Sequence, residues 1–120
     1  MALARTDLSP VTRIGAATTV GVVTVGSAQT CYVKSLMIYN RSRSAVENVN
    51  IYIVPNNGGN VGSVATTNQI ARIGIGTDDT FFFEPAYPIV LRNTGDALFI
   101  GNEGVAANGL NVLATGDIEL

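Results

Sequence analysis

The chain has 120 residues, of which 47% are hydrophobic and only 13% are charged, and its net charge is −2. In ordinary soluble domains roughly a quarter of the residues are charged. Because this chain has so few charges, we expect part of its surface to face other protein chains instead of water. Histidine is absent and cysteine occurs once, which removes the commonest general base, the commonest transition-metal ligand and any internal disulfide. The composition therefore favours an assembly component over an enzyme.

The first 17 residues are predicted to form an extended N-terminal arm. They show weak periodicity and contain Pro10, which argues against a packed strand. We expect this arm to lie on an adjacent subunit or on a larger particle through its apolar residues, which are Leu3, Leu8, Val11 and Ile14. The arm has no apolar run flanked by positive charge, so we expect no signal peptide and synthesis in the cytoplasm.

Residues 18–120 are predicted to form one β-sandwich domain. Short apolar and β-branched runs alternate with turn formers, and no helical pattern interrupts them. Pro85 and Pro88 confine residues 84–88 to an edge or a loop, and Gly116 is a candidate bulge position. We predict an all-β fold, an antiparallel sandwich or jelly roll of about eight strands. The predicted strands are 18–25, 31–40, 49–54, 69–75, 80–83, 89–91, 97–101 and 110–120.

Two of these strands carry apolar residues on both faces. Residues 31–40 do so along their length, which marks a central strand or one whose outer face a partner covers. Phe81, Phe82 and Phe83 are consecutive, and adjacent residues of a strand point to opposite faces. Either this strand is covered on both sides, or Phe82 or the pair flanking it meets a partner. All three are candidate interface residues, together with the four apolar residues of the arm.

The acidic residues are the remaining candidates for a chemical site. Asp78, Asp79 and Glu84, or Asp96 and Glu103, could in principle bind calcium or act as a glycosidase pair. Neither group has the alternating spacing of a calcium loop, and aspartate at a turn usually bonds its own backbone. We therefore predict no catalytic residue, no cofactor and no metal site.

The basic residues and the cysteine also point away from a chemical site. Lys34 is the single lysine, and Arg41 and Arg43 are the only close basic pair, so we expect no nucleic-acid partner. Cys31 lies in a strand-like context, which predicts a buried, unreactive thiol. No apolar stretch approaches the ~18 residues of a membrane-spanning helix, so we expect no membrane partner.

A series of short stretches within residues 18–120 carries a resemblance to a known family. The stretches are Val33-Lys34-Ser35-Leu36, Asn40-Arg41-Ser42, residues 49–55 (VNIYIVP), Asp79-Thr80, Pro88-Ile89-Val90-Leu91, Gly95-Asp96 and Ile118-Glu119-Leu120. In these stretches the chain resembles a family of small β-sandwich virion proteins of tailed bacteriophages. The resemblance implies a capsid cement or head-decoration protein, often a trimer, that binds the major capsid protein in the virion. A tail or fibre component is the alternative within the virion, and a carbohydrate-binding jelly roll for host attachment is the alternative from another class.

Overall fold

The computed structural model describes residues 3–104 and 109–120, with the side chains of all of these except residues 4–6. In these ranges the chain forms ten strands and one short 3-10 turn, Thr66–Asn68. The strands build two antiparallel sheets that face each other, so the predicted all-β sandwich is confirmed. No helix in the described ranges is long and apolar enough to cross a membrane.

The larger sheet is four strands wide, and each of its edges is a strand interrupted by proline. On one edge two short strands pair with the last strand of the chain, on either side of Pro10. On the other edge two short strands pair with the longest strand, on either side of residues 84–88. Across this sheet the strands are β1 (Leu3–Asp7) and β2 (Thr12–Ile14), then β10 (Leu110–Glu119), then β4 (Thr30–Asn40), then β7 (Thr80–Phe83) and β8 (Ile89–Leu91).

The smaller sheet has four strands and completes a jelly roll. Its strands are, in order across the sheet, β3 (Thr18–Thr24), β9 (Ala97–Asn102), β5 (Glu47–Val54) and β6 (Gln69–Ile75). Each interrupted edge can be counted as one strand, which gives eight strands numbered along the chain. Read across the sheets, the larger one then has the order 1, 8, 3, 6 and the smaller one the order 2, 7, 4, 5. Two four-stranded sheets connected in this way form the double Greek key of a jelly roll.

The core lies between the sheets and takes every second residue of the central strands, as strand geometry requires. In β4 this alternation shifts by one residue between Val33 and Leu36. Burial of these apolar side chains supplies the main favourable free energy of folding. Fully buried members of the core are Val33, Leu36 and Ile38 of β4, Val49 and Ile51 of β5, Leu98 and Ile100 of β9, and Leu110, Val112 and Ala114 of β10.

The predicted strands of residues 18–120 are all present, with ends within two residues of the prediction. A bulge lies opposite the predicted position and not on it, because Thr115 pairs with Ser35 and Gly116 pairs with Val33, which leaves Lys34 of β4 as the extra residue. A side chain at position 116 would collide with the Tyr32 backbone, since a Cβ there would lie 1.8 Å from the carbonyl oxygen of Tyr32.

The N-terminal segment differs from its prediction. Its backbone is extended, but β1 pairs with β10 from Leu3 opposite Glu119 to Asp7 opposite Thr115, and β2 pairs farther along β10. Pairing within the chain satisfies the N–H and C=O groups along the outer edge of β10, which would otherwise be open to another chain. The expectation of an arm without a packed strand is therefore wrong for the described residues of this segment.

Candidate functional site

The outer face of the larger sheet carries a row of apolar side chains across three adjacent strands. Leu113 of β10 lies opposite Met37 of β4, and Met37 lies opposite Phe82 of β7. The side chain of Phe82 is 59% exposed, and those of Met37 and Leu113 are half-buried. Val11, which is 66% exposed, extends the row beyond β10. We call Val11, Leu113, Met37 and Phe82 the apolar row.

A shallow depression of about 190 Å³ opens within this row. Pockets that hold small organic ligands usually measure about 300–1,000 Å³ and enclose most of the ligand. A depression of this size and openness is better suited to one side chain of a protein partner. It is lined by Val11, Met37, Tyr39, Asn111, Val112 and Leu113.

The three consecutive phenylalanines are divided between the two faces of β7. Phe81 and Phe83 lie opposite the buried Ile38 and Leu36, and both pack against the core. Phe82 lies on the outer face. Of the arrangements that the sequence left open, the structure has Phe82 directed outward and its neighbours directed inward. An interface role for Phe82 stays a prediction.

The N-terminal candidates are also divided by the fold. Leu3 and Val11 are exposed, by 57% and 66%. Leu8 is half-buried and packs against the core, and Ile14 is 0% exposed within it. Ile14 is therefore wrong as an interface residue, because pairing of β2 with β10 directs its side chain between the sheets.

The polar groups beside the apolar row are paired with one another. The Tyr39 hydroxyl donates a hydrogen bond to Asp78, and this bond raises the pKa of Tyr39 above its usual value. Lys34 forms an ion pair of 2.5 Å with the buried carboxylate of Asp117. The Tyr32 hydroxyl donates to Glu119 at 3.2 Å. Of these groups Tyr39 lines the depression itself, and among the described residues the Oδ1 of Asp117 has no hydrogen-bond partner.

The acidic turns use their carboxylates to hold the backbone. Asp96 accepts hydrogen bonds from the backbone N–H and side-chain amide of Asn56, both at 2.9 Å, and from the Asn93 N–H at 3.0 Å. Burial tends to raise the pKa of Asp96, but these hydrogen bonds outweigh it and lower the pKa. Asp79 accepts from the Thr80 N–H at 2.9 Å. Among the described residues no group of three or more His, Cys, Asp or Glu side chains could hold a metal ion.

Cys31 is 2% exposed, as predicted, and faces the core. Burial raises the pKa of its thiol, so the reactive thiolate is disfavoured near neutral pH.

Sequence reasoning named Val11 and Phe82 as interface candidates but missed Leu113 and Met37, because the row forms only through strand register. Leu113 occupies an outward position of β10, between the polar Asn111 and Thr115. The available signal was that Leu113 is apolar at a position where the alternation of β10 predicts a polar residue. Its meaning depends on Met37 and Phe82 lying beside it, and these pairings join distant parts of the chain.

Comparison with known proteins found distant structural likenesses. A structure of infectious bursal disease virus Gt strain matches with a TM-score of 0.42 and 10% identity, covering 98% of this chain and 32% of that chain. The Gx strain gives a TM-score of 0.37 and 11% identity over 98% and 32%. The VP2 subviral particle of the same virus gives 0.36 and 10% over 98% and 31%. The chain thus spans about a third of the chains it matches. No family model and no curated protein matches it.

Proposed function

We propose that this protein is a non-enzymatic structural protein of a virion, a capsid cement or head-decoration protein of a tailed bacteriophage. It is made in the host cytoplasm and binds the assembled shell of the major capsid protein. The observation that carries the proposal is the apolar row on the outer face of the larger sheet. Contiguous apolar surface on a protein with few charges is typical of a protein–protein contact, and jelly rolls are common in viral capsid domains.

Attachment through the apolar row would stabilise the shell by mass action. A protein that binds the assembled shell and not its separated subunits shifts the assembly equilibrium toward the shell, in proportion to occupancy. Phe82 is the natural anchor, because exposed aromatic side chains that enter a partner's pocket contribute much of the binding energy at interfaces. The depression beside it would receive a side chain of the major capsid protein.

The chemistry of the remaining side chains supports a non-enzymatic role. Asp78, Asp79, Asp96 and Glu103 all hold hydrogen bonds within the chain. A nucleophile would need an adjacent base, and Cys31 lies in the apolar core instead. We further propose, from the resemblance to tailed-phage proteins, that free copies associate as a trimer with Phe82 at or near the contact, and that this contact gives way to the shell when the protein attaches.

Co-sedimentation with shells assembled from the major capsid protein tests the proposal. We expect the wild-type protein to sediment with the shells and Phe82→Ser to bind at least about tenfold more weakly, as for loss of a central aromatic anchor. Val46→Ser is the matched control, because Val46 is also 59% exposed but lies outside the apolar row. Equal binding of Phe82→Ser and wild type would contradict attachment through this face.

Analysis of separated phage heads and tails distinguishes a head protein from a tail or fibre component. Protein detected by mass spectrometry in purified heads is the expected result. Protein confined to the tail fraction would favour a tail or fibre component instead.

A further inference from the structure

The outer face of the smaller sheet carries two aromatic rings that lie beside strand glycines. Tyr52 of β5 lies opposite Phe99 of β9, and Phe99 lies opposite Gly21 of β3. Gly101 of β9 lies next to the Tyr52 ring, since a Cβ built on Gly101 would be 3.4 Å from Tyr52 Cε1. Both rings are half-buried. This face points away from the larger sheet and its apolar row.

The distances around Gly21 define how the Phe99 ring lies. A Cβ built on Gly21 would be 3.2, 3.4 and 3.6 Å from Cζ, Cε2 and Cε1 of Phe99. An edge-on ring would hold both Cε atoms clearly farther away than Cζ, so the ring turns its flat face toward Gly21. Covering a strand glycine with a cross-strand aromatic also stabilises the pairing. One face of the ring therefore lies on the sheet, and part of the half-buried ring is accessible to solvent.

A hydrogen-bonded set of polar side chains borders the rings. Arg72 of β6 binds Glu103 through two bonds of 2.8 and 3.0 Å. Asn50 donates to Glu103 at 2.7 Å and accepts from Gln69 at 2.8 Å. These planar groups hold one another in place. The donors and acceptors that are not engaged in these bonds, such as the side-chain carbonyl of Gln69, are therefore fixed in direction.

The charges of this border neutralise each other. The hydrogen bonds and charge of Arg72 lower the pKa of Glu103, and those of Glu103 raise the pKa of Arg72. Both groups are therefore ionised at neutral pH and paired. Charge complementarity then favours an uncharged ligand over a phosphate or a carboxylate.

We propose that this face, formed by Tyr52, Phe99, Asn50, Gln69, Arg72 and Glu103, is a binding site for an uncharged saccharide. A sugar ring has one apolar C–H face, which stacks on an aromatic ring face, and a border of hydroxyl groups. Those hydroxyls are both donors and acceptors and match planar amide, guanidinium and carboxylate groups. We call this surface the saccharide platform.

The saccharide platform is independent of the proposed attachment to a shell. The apolar row lies on the outer face of the opposite sheet, so both surfaces can be occupied at once. A copy bound to a shell through the row would present the platform to the surrounding solution. Failure of shell binding would leave the saccharide prediction intact, and the reverse also holds.

Titration of ¹⁵N-labelled protein by NMR tests the inference. The probes are maltohexaose, cellohexaose, chitohexaose and mannohexaose, each added up to millimolar concentration, with a short oligothymidylate as the comparison ligand. We expect at least one sugar to shift the amide signals of Tyr52, Phe99 and their neighbours. No shift with any of the four sugars, or shifts that map to the larger sheet, would overturn the proposal, as would binding of the oligothymidylate alone.

Substitutions then separate ring stacking from simple covering of the sheet. Tyr52→Leu and Phe99→Leu keep an apolar cover over the glycines but remove the flat ring, so we expect each to weaken sugar binding at least about tenfold. Phe82→Leu, on the opposite sheet, is the control and should bind as wild type. Unchanged binding by both platform variants would contradict stacking as the mode of recognition.

Discussion

At the scale of single residues, Glu47 is the least expected feature of the core. Its side chain is 1% exposed, and within the described part of the chain its Oε1 has no hydrogen-bond partner. Gly104 is packed so closely on this carboxylate that a Cβ there would lie 1.3 Å from Oε2. Burial raises the pKa of Glu47, so the native state binds its proton more tightly than the unfolded state does.

Replacing Glu47 by glutamine should stabilise the protein near neutral pH. The pKa of Glu47 is higher in the native state than in the unfolded state, so protonation of Glu47 stabilises the native state at low pH. This stabilisation is complete below the pKa of the unfolded state and is lost as the pH rises through the pKa of the native state. We expect Glu47→Gln to raise the free energy of unfolding by about 1 kcal/mol at pH 7, a few degrees in Tm, with a smaller gain at pH 4. Thermal unfolding at both pH values measures this, with the exposed Glu84→Gln as control. An equal effect of Glu47→Gln at pH 4 and pH 7 would contradict the mechanism.

Gly116, which lies opposite the bulge of β4, gives a second prediction at this scale. The Cβ of Gly116→Ala would overlap the Tyr32 carbonyl oxygen, so β4 or β10 must move. We expect a loss of about 3 kcal/mol, at the upper end of ordinary single substitutions. Gly76→Ala is the matched control, because its Cβ would meet nothing closer than 3.8 Å. Chemical denaturation measures the free energy of unfolding of both variants. If Gly116→Ala loses no more of it than Gly76→Ala does, the strands can move apart without loss of stability and the prediction is wrong.

At the scale of elements, the sequence predicted the strands that are long or bounded by clear turns. Alternation in residues 49–54 and the Pro-Asn-Asn-Gly turn after them suffice to place β5. The same reasoning failed for β1 and β2, because five and three residues separated by Pro10 give too little alternation to recognise. The grouping of Val11 and Phe82 with Leu113 and Met37, and the saccharide platform, were missed for another reason. Both depend on which residues become cross-strand neighbours, and register is set by the packed sheets as a whole.

Pairing of β1 and β2 with β10 determines what an N-terminal truncation should do. A free arm could be deleted with the sandwich intact, whereas removing residues 1–11 here deletes β1 and leaves much of the β10 edge unpaired. We expect a lower Tm and concentration-dependent aggregation through the open edge. Leu3→Ser is the control, because Leu3 is exposed and the substitution keeps its backbone pairing. It should neither lower the Tm nor cause aggregation. A truncated protein with unchanged Tm that stays monodisperse in light scattering would contradict a structural role for this pairing.

At the scale of the whole molecule, the two outer faces of the sandwich differ in kind. The larger sheet presents the apolar row, and the smaller sheet presents half-buried rings with a neutralised polar border. A molecule with unlike faces is suited to attach by one of them and leave the other open. Ion pairs do not distinguish the two faces, because the pair of Lys34 and Asp117 belongs to the larger sheet and the pair of Arg72 and Glu103 to the smaller sheet.

This asymmetry predicts how self-association depends on salt. The apolar row carries no charge, and each copy has a net charge of −2 at pH 7. Like-charged copies repel weakly, and salt screens that repulsion, while apolar contact does not depend on opposite charges. We therefore expect mass photometry and light scattering to detect a trimer whose stability is unchanged or slightly greater at 0.5 M than at 0.05 M NaCl. Phe82→Ser should dissociate it and Val46→Ser should not. Dissociation of the wild-type protein by salt would mean that ion pairs hold the copies together, and a monomer at high micromolar concentration under both conditions would refute the association itself.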